Sequence, residues 1–146
     1  MEKDLAKDNP YMKMVVNILR TGNIIDHKVS EVLKAFGLTH IQFNILRILE
    51  AVHPEKLSAG DINNGLLFPT SDVTRLLDRL EKGEFITRIV CPKNRRKIDI
   101  SITDKGLKVI GEALPAIEDV LNGYYNQKVT PDERDMMIRV LKKLNN

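Results

Sequence analysis

Two clusters of side chains in this chain have chemistry suited to a polyanion. The first is Ser71, Thr74, Arg75, Arg79 and Lys82, spaced so that a helix over Thr70–Lys82 carries them on or beside one outward side. The second is Lys93, Arg95, Arg96 and Lys97, four cations in five residues with no acid among them. Short hydroxyls such as Ser71 and Thr74 reach base edges or phosphates. An arginine such as Arg75 reads guanine through paired donors, worth about 1–3 kcal/mol of discrimination per contact. Arg79 and Lys82, further along, suit phosphates, which position a protein without reading sequence. The first amides of the helix also favour a phosphate. Asp72 suits the helix dipole but repels phosphate, which places it at the edge of the contact face. A hairpin tip carrying Lys93, Arg95 and Arg96 fits a minor groove, whose negative potential attracts arginine.

Each cluster alone has a plain structural reading, as the solvated face of an amphipathic helix or a solvated turn. The two in this order, one helix and then one basic hairpin, point to duplex DNA. No other constellation competes. The sequence holds no glycine-rich phosphate loop, nucleophile elbow or Cys/His pair at useful spacing, so no enzyme is expected. His27, His40 and His53 lack a partner at metal-ligand spacing and are read as surface or capping residues; no metal or cofactor is expected. Cys91 is the only cysteine, which excludes an intrachain disulfide and fits a reducing compartment. It lies near Arg88 and Lys93, cations that favour a redox-active thiolate, but it is read as a small packed hydrophobe. Met12, Met14, Met136 and Met137 are read as filler between helices.

Positioning these clusters requires a scaffold, and the periodicity supplies one. Tyr11–Phe36 reads as a long helix with apolar or small residues at 11, 18, 25, 32 and 15, 22, 29, 36. At 1.5 Å per residue it would span roughly 39 Å, long enough that its stripe should pack partly on a second subunit. Gly37 ends it as a left-handed cap, with Leu38 packing back. Thr39-His40-Ile41-Gln42 is a capping box opening a helix with Ile41, Ile45, Ile48 and Leu49 inward, stopped at His53-Pro54. Ser58-Ala59-Gly60-Asp61 starts a short helix through Ile62. In Thr70–Lys82, Val73, Leu76, Leu77 and Leu80 form the buried stripe, and Gly83 closes the helix. Ile86–Cys91 is one strand and Lys97–Ile102 another, with Ile98, Ile100 and Ile102 on one face and a tip over Pro92–Arg96. Thr103 caps a helix to about Tyr125, kinked at Pro115. Thr130-Pro131-Asp132-Glu133 starts a last helix carrying Met136, Met137, Val140, Leu141 and Leu144.

The expected fold is mainly α: a winged helix-turn-helix with long N- and C-terminal dimerisation helices and a two-stranded β-wing. We read residues 1–146 as one domain, with a DNA-binding module over 39–103 and a helical dimerisation region over 10–37 and 104–146. A hydrophobic fraction of 42% supports a core, and the net charge of +3 matters less than where the cations sit. Sparse aromatics and the lack of Trp argue against a surface that stacks single-stranded bases. Met1–Asp8 is charged in both signs, unlike a signal or transit peptide, and no apolar run is long enough for a bilayer. A cytoplasmic protein without membrane contact is expected.

The residues in the second helix (Leu38-Thr39-His40-Ile41-Gln42-Phe43-Asn44-Ile45-Leu46), in Val73-Thr74-Arg75-Leu76-Leu77-Asp78-Arg79-Leu80-Glu81-Lys82-Gly83-Glu84-Phe85-Ile86, and in Asn94-Arg95-Arg96 with Ile100-Ser101-Ile102-Thr103 resemble the MarR (multiple-antibiotic-resistance regulator) family over nearly the whole chain. The resemblance implies a homodimeric transcriptional regulator, usually a repressor, on a near-palindromic operator. It also implies release by a small phenolic or aromatic effector or by cysteine oxidation. The family's wing usually reads Asp-Arg-Arg. Here the first position is Asn94, so the electrostatic bracing expected of an acid is absent. By the same resemblance Arg96 is the residue expected in the minor groove. A winged-helix module that binds protein instead of DNA is the alternative reading.

Overall fold

The computed structural model describes residues 9–146; the charged Met1–Asp8 lies outside them. The chain folds as α1 (Pro10–Lys34), α2 (His40–Val52), α3 (Ala59–Gly65), α4 (Val73–Lys82), β1 (Ile86–Cys91), β2 (Asn94–Ile102), α5 (Asp104–Tyr125) and α6 (Pro131–Leu144). This is the winged-helix order with flanking helices that the periodicity predicts.

Local signals place most boundaries. Asn9 caps α1 by accepting from the Tyr11 and Met12 amides. At the other end, Gly37 adopts φ 69° and the Leu38 N–H donates to the Leu33 carbonyl at 3.2 Å, the left-handed termination read from the sequence. The Thr39 and Ser58 capping boxes are both closed, with Gln42 and Asp61 returning to the N-cap amides. The inward face of α2 is rotated from the expected one. Phe43, Ile45, Leu46 and Leu49 are buried, whereas Ile41 and Ile48 are half-covered. Gln42 is buried because its amide serves the cap.

One core joins the elements: Val29 and Leu33 of α1, Ile45, Leu46 and Leu49 of α2, Ile62 of α3, Leu77 and Leu80 of α4, Ile86, Ile100 and Ile102 of the hairpin, and Ile110, Ala113 and Ile117 of α5. It draws on only the C-terminal part of α1. Tyr11, Met12, Val15, Ile18 and Leu19 are exposed, Tyr11 by 73%. In α6 no residue is buried, and Met136, Met137, Ile138, Val140, Leu141 and Leu144 are 38–54% exposed. Two terminal helices thus present apolar stripes that the other described residues leave uncovered. Pro115 lies within α5, which continues through it.

The start of α5 is wedged against the end of the α4 segment. Thr103 caps α5, and its hydroxyl also donates to the Glu84 carbonyl at 2.7 Å. Glu84 holds φ 63°, a left-handed conformation rare for a residue with a side chain. A Cβ on Gly106 would lie 2.4 Å from the Phe85 carbonyl oxygen and 2.6 Å from Ile102 Cγ1. Backbone cannot give way as a side-chain end does. Gly106→Ala is therefore expected to destabilise the protein by about 1–3 kcal/mol, the range for overpacking, read as a lowered midpoint of chemical or thermal unfolding.

Candidate nucleic-acid interface

The amphipathic helix begins later than its pattern suggests. Thr70, Ser71 and Asp72 lie outside it, in the turn before Val73. The reason is local bonding: the Thr70 N–H donates to Asn63 Oδ1 at 2.8 Å, and the Thr70 hydroxyl accepts from the Asp72 amide at 3.1 Å. These bonds hold the turn open. Asp72 occupies the N-cap without a side-chain bond to the following amides, so the positive end of α4 lacks a capping side chain. Ser71 sits exposed in that turn; Thr74, Arg75, Arg79 and Lys82 are all exposed on α4 itself. Leu77 and Leu80 are buried, with Val73 and Leu76 packed against the core, as the stripe requires.

The hairpin departs further from its expected form. Its turn is only Pro92-Lys93, and β2 begins at Asn94. Pairing runs regularly from Ile86 opposite Ile102 to Val90 opposite Ile98, then jumps so that Cys91 faces Asn94. Arg95, Arg96 and Lys97 consequently have no partner across the hairpin. They form an irregularity that throws the cations out of the ladder, instead of a tip loop over Pro92–Arg96. Asn94 organises it: its Oδ1 accepts the Arg96 backbone N–H at 3.1 Å. The neutral amide thus supplies a hydrogen-bond acceptor where an acid would have added charge. Lys93, Arg95, Arg96 and Lys97 are all exposed. Ile98, predicted on the inward face with Ile100 and Ile102, is 49% exposed because the hairpin outruns the core beneath it. Cys91 ends β1 beside the turn, at the outer part of the wing.

Arg88 and its partners went unread in the sequence. Arg88, on β1, donates to Glu81 Oε2 from Nε at 3.0 Å and from Nη2 at 2.5 Å, and its Nη2 lies 2.7 Å from Asp78 Oδ1. Both carboxylates belong to α4. Glu81's hydrogen bond holds the guanidinium pKa above its ordinary value, against the opposing cost of burial, with Asp78 adding to the rise. Asp78, which shares α4 with Arg75 and Lys82, is therefore engaged by the wing. The only sequence signal was an acid pair at i, i+3 followed by a lone arginine in a strand.

Two further ties hold the module, one on the wing and one on α4. Leu57 and Ile100 exchange backbone bonds of 3.0 and 2.8 Å, adding a bridge from the α2–α3 connection to β2. Lys105 Nζ donates to the Gly83 carbonyl at 2.7 Å, at the C-terminal end of α4. His40, read as a surface or capping residue, contacts Asp26 of α1 at 2.5 Å. Among the described residues no group of three or more His, Cys, Asp or Glu side chains is placed to hold a metal ion, and no helix is long and apolar enough to cross a membrane.

The family pattern described as MarR family matches residues 36–97. The HTH-type transcriptional regulator PapX of Escherichia coli is 31% identical over 126 residues, covering 86% of this chain and 76% of that protein. Among solved structures, a Staphylococcus aureus MepR mutant bound to an oligodeoxyribonucleotide is 25% identical with a TM-score of 0.60, covering 94% of this chain and 96% of that one. A mutant MarR from E. coli complexed with operator DNA shares the fold at a TM-score of 0.81 and 20% identity, covering 92% of this chain and 94% of that one.

Proposed function

The chain belongs to the MarR family of transcriptional regulators, and from that premise we propose that it is a homodimeric, sequence-specific repressor acting on a near-palindromic operator in the cytoplasm. Thr74 and Arg75 on α4, with Ser71 in the turn before it, read base edges in the major groove. Arg79, Lys82 and the uncapped first turn of α4 hold phosphates. Lys93, Arg95 and Arg96 of the wing enter or flank the adjoining minor groove. The observation that carries this reading is the pair of exposed cationic elements, α4 and the Arg95–Lys97 irregularity, tied to each other through Arg88.

The operator symmetry would follow from the dimer. Two copies of α4 must enter successive major grooves about 34–36 Å apart. The exposed stripes of α1 and α6 are the surfaces proposed to pair. A small phenolic or aromatic effector would release the operator by binding the arrangement with the wrong spacing more tightly than the right one.

The decisive experiment is a salt titration of binding to duplex DNA from the gene's own upstream region, against random duplex of equal length. Tight, selective binding is expected, with log K falling linearly in log salt at a slope near −0.9 per phosphate neutralised. A flat response, or no preference over random duplex, would reject the operator reading in favour of a protein-binding winged helix.

A further inference from the structure

We propose that Arg88 is a positioning residue for DNA reading: from the root of the wing it pairs from beneath with the two acids of the recognition helix, offsetting their charge, and fixes that helix against the hairpin. The assignment rests on the proposed function. Its basis is the composition of α4, in which Arg75, Arg79 and Lys82 are interleaved with Asp78 and Glu81. Asp78 stands four residues from Thr74 and four from Lys82, and so shares their side of the helix. An uncovered carboxylate there would face the phosphate backbone and repel it. Arg88 engages both acids at once, donating twice to Glu81 Oε2 and lying 2.7 Å from Asp78 Oδ1.

Several features distinguish this contact from ordinary surface pairing. The Arg88 side chain is only 22% exposed, while Asp78 and Glu81 are 57% and 40% exposed. The guanidinium is therefore the inward member and the carboxylates lie nearer the solvent side. The planar fork of arginine makes two directed bonds to one acid and a third contact to the other, which a lysine cannot reproduce. Position matters too. Arg88 faces Ile100 across the ladder, and Ile100 carries the Leu57 bridge. The contact thus joins α4 to the part of the hairpin that is anchored on two sides. Arg95 and Arg96 hang from the same hairpin beyond it.

The test uses the intact protein, the upstream duplex and a random duplex, with Kd measured across a salt series below the unfolding temperature of every variant. Arg88→Gln is expected to lower the preference for the upstream duplex about 10- to 100-fold. The salt slope should stay at its wild-type value, since Arg88 touches no phosphate. Arg88→Lys keeps the charge without the fork and should recover only part of the preference. The neutral combination R88Q/D78N/E81Q should regain affinity for random duplex, with neither Asp78 nor Glu81 left as an unpaired acid, but not the preference.

Wild-type preference in Arg88→Gln overturns the assignment. So does a salt slope reduced by about one per protomer, which would make Arg88 itself a phosphate contact. Should Arg88→Gln fail to fold, D78A/E81A removes the acceptors and leaves Arg88 in place; unchanged preference in that variant is equally fatal. Absence of any preference in the wild-type protein would strike the proposed function first, and Arg88's role with it.

Discussion

Removal of Pro131–Asn146 is expected to turn the proposed dimer into a folded monomer and to weaken binding to its proposed operator about 100- to 10,000-fold, the range over which linked binding events strengthen one another. The argument begins with what α6 does within its own chain. None of its residues is buried, and it contributes nothing to the core of Leu33, Ile45, Leu49, Leu77, Ile100 and Ile110. A protomer without it keeps that core. It loses six large apolar side chains displayed along one helix, together with one wall of the groove of about 460 Å³ lined by Leu121, Tyr125, Val129, Met137, Ile138 and Leu141. Contiguous exposed apolar surface of this kind marks an association face. Light scattering coupled to gel filtration gives the mass, circular dichroism checks that only the α6 helicity is lost, and fluorescence anisotropy gives the affinity. A truncated protein that stays dimeric at full affinity would show that α6 is dispensable for pairing.

The second large effect concerns the two arginines assigned to different grooves. In a dimer each substitution is made twice. Arg75→Ala should reduce operator affinity by about 30-fold or more, from two lost base contacts of about 1–3 kcal/mol each. It should also relax discrimination at one base pair per half-site, seen by competition with singly substituted operators. Arg96→Ala should weaken binding without shifting that pattern at the Arg75 base pair. If each Arg96 neutralises one phosphate-equivalent of charge, the salt slope falls by about two for the dimer. Identical specificity profiles for the two variants would undo the division of labour between helix and wing, and unaltered affinity in both would remove the candidate interface altogether.

Those arginines were legible because helical spacing and a run of cations are properties of short windows. The same holds for Thr39, Ser58 and Thr130, each of which closes a capping box with a residue three positions on. Gly37 was legible because a left-handed residue strongly favours glycine. The start of α4 was not, since it depends on Asn63 reaching the Thr70 amide seven residues away. Nor was the hairpin's register. The alternation of Ile98, Ile100 and Ile102 is visible in one strand, but the displacement of Arg95–Lys97 exists only in the pairing of two. The Arg88 contact is illegible for a related reason: it needs the angle between a helix and a strand, which no periodicity encodes. On α1, the long stripe was visible, while the point at which it leaves its own core, beyond Ile25 towards Tyr11, is a property of the packed chain.

The exchange of backbone hydrogen bonds between Leu57 and Ile100 has a mechanical consequence. With the hairpin stitched to the α2–α3 connection on one side and gripping α4 through Arg88 on the other, helix and wing form a jaw braced at its own root. In the proposed dimer, whatever disturbs the terminal helices would slide one jaw relative to its twin and leave the bite of each unaltered. On the proposed function, the site each half recognises and any signal that drives release would be housed in separable parts, so a change in responsiveness need not cost the protein its address on the genome.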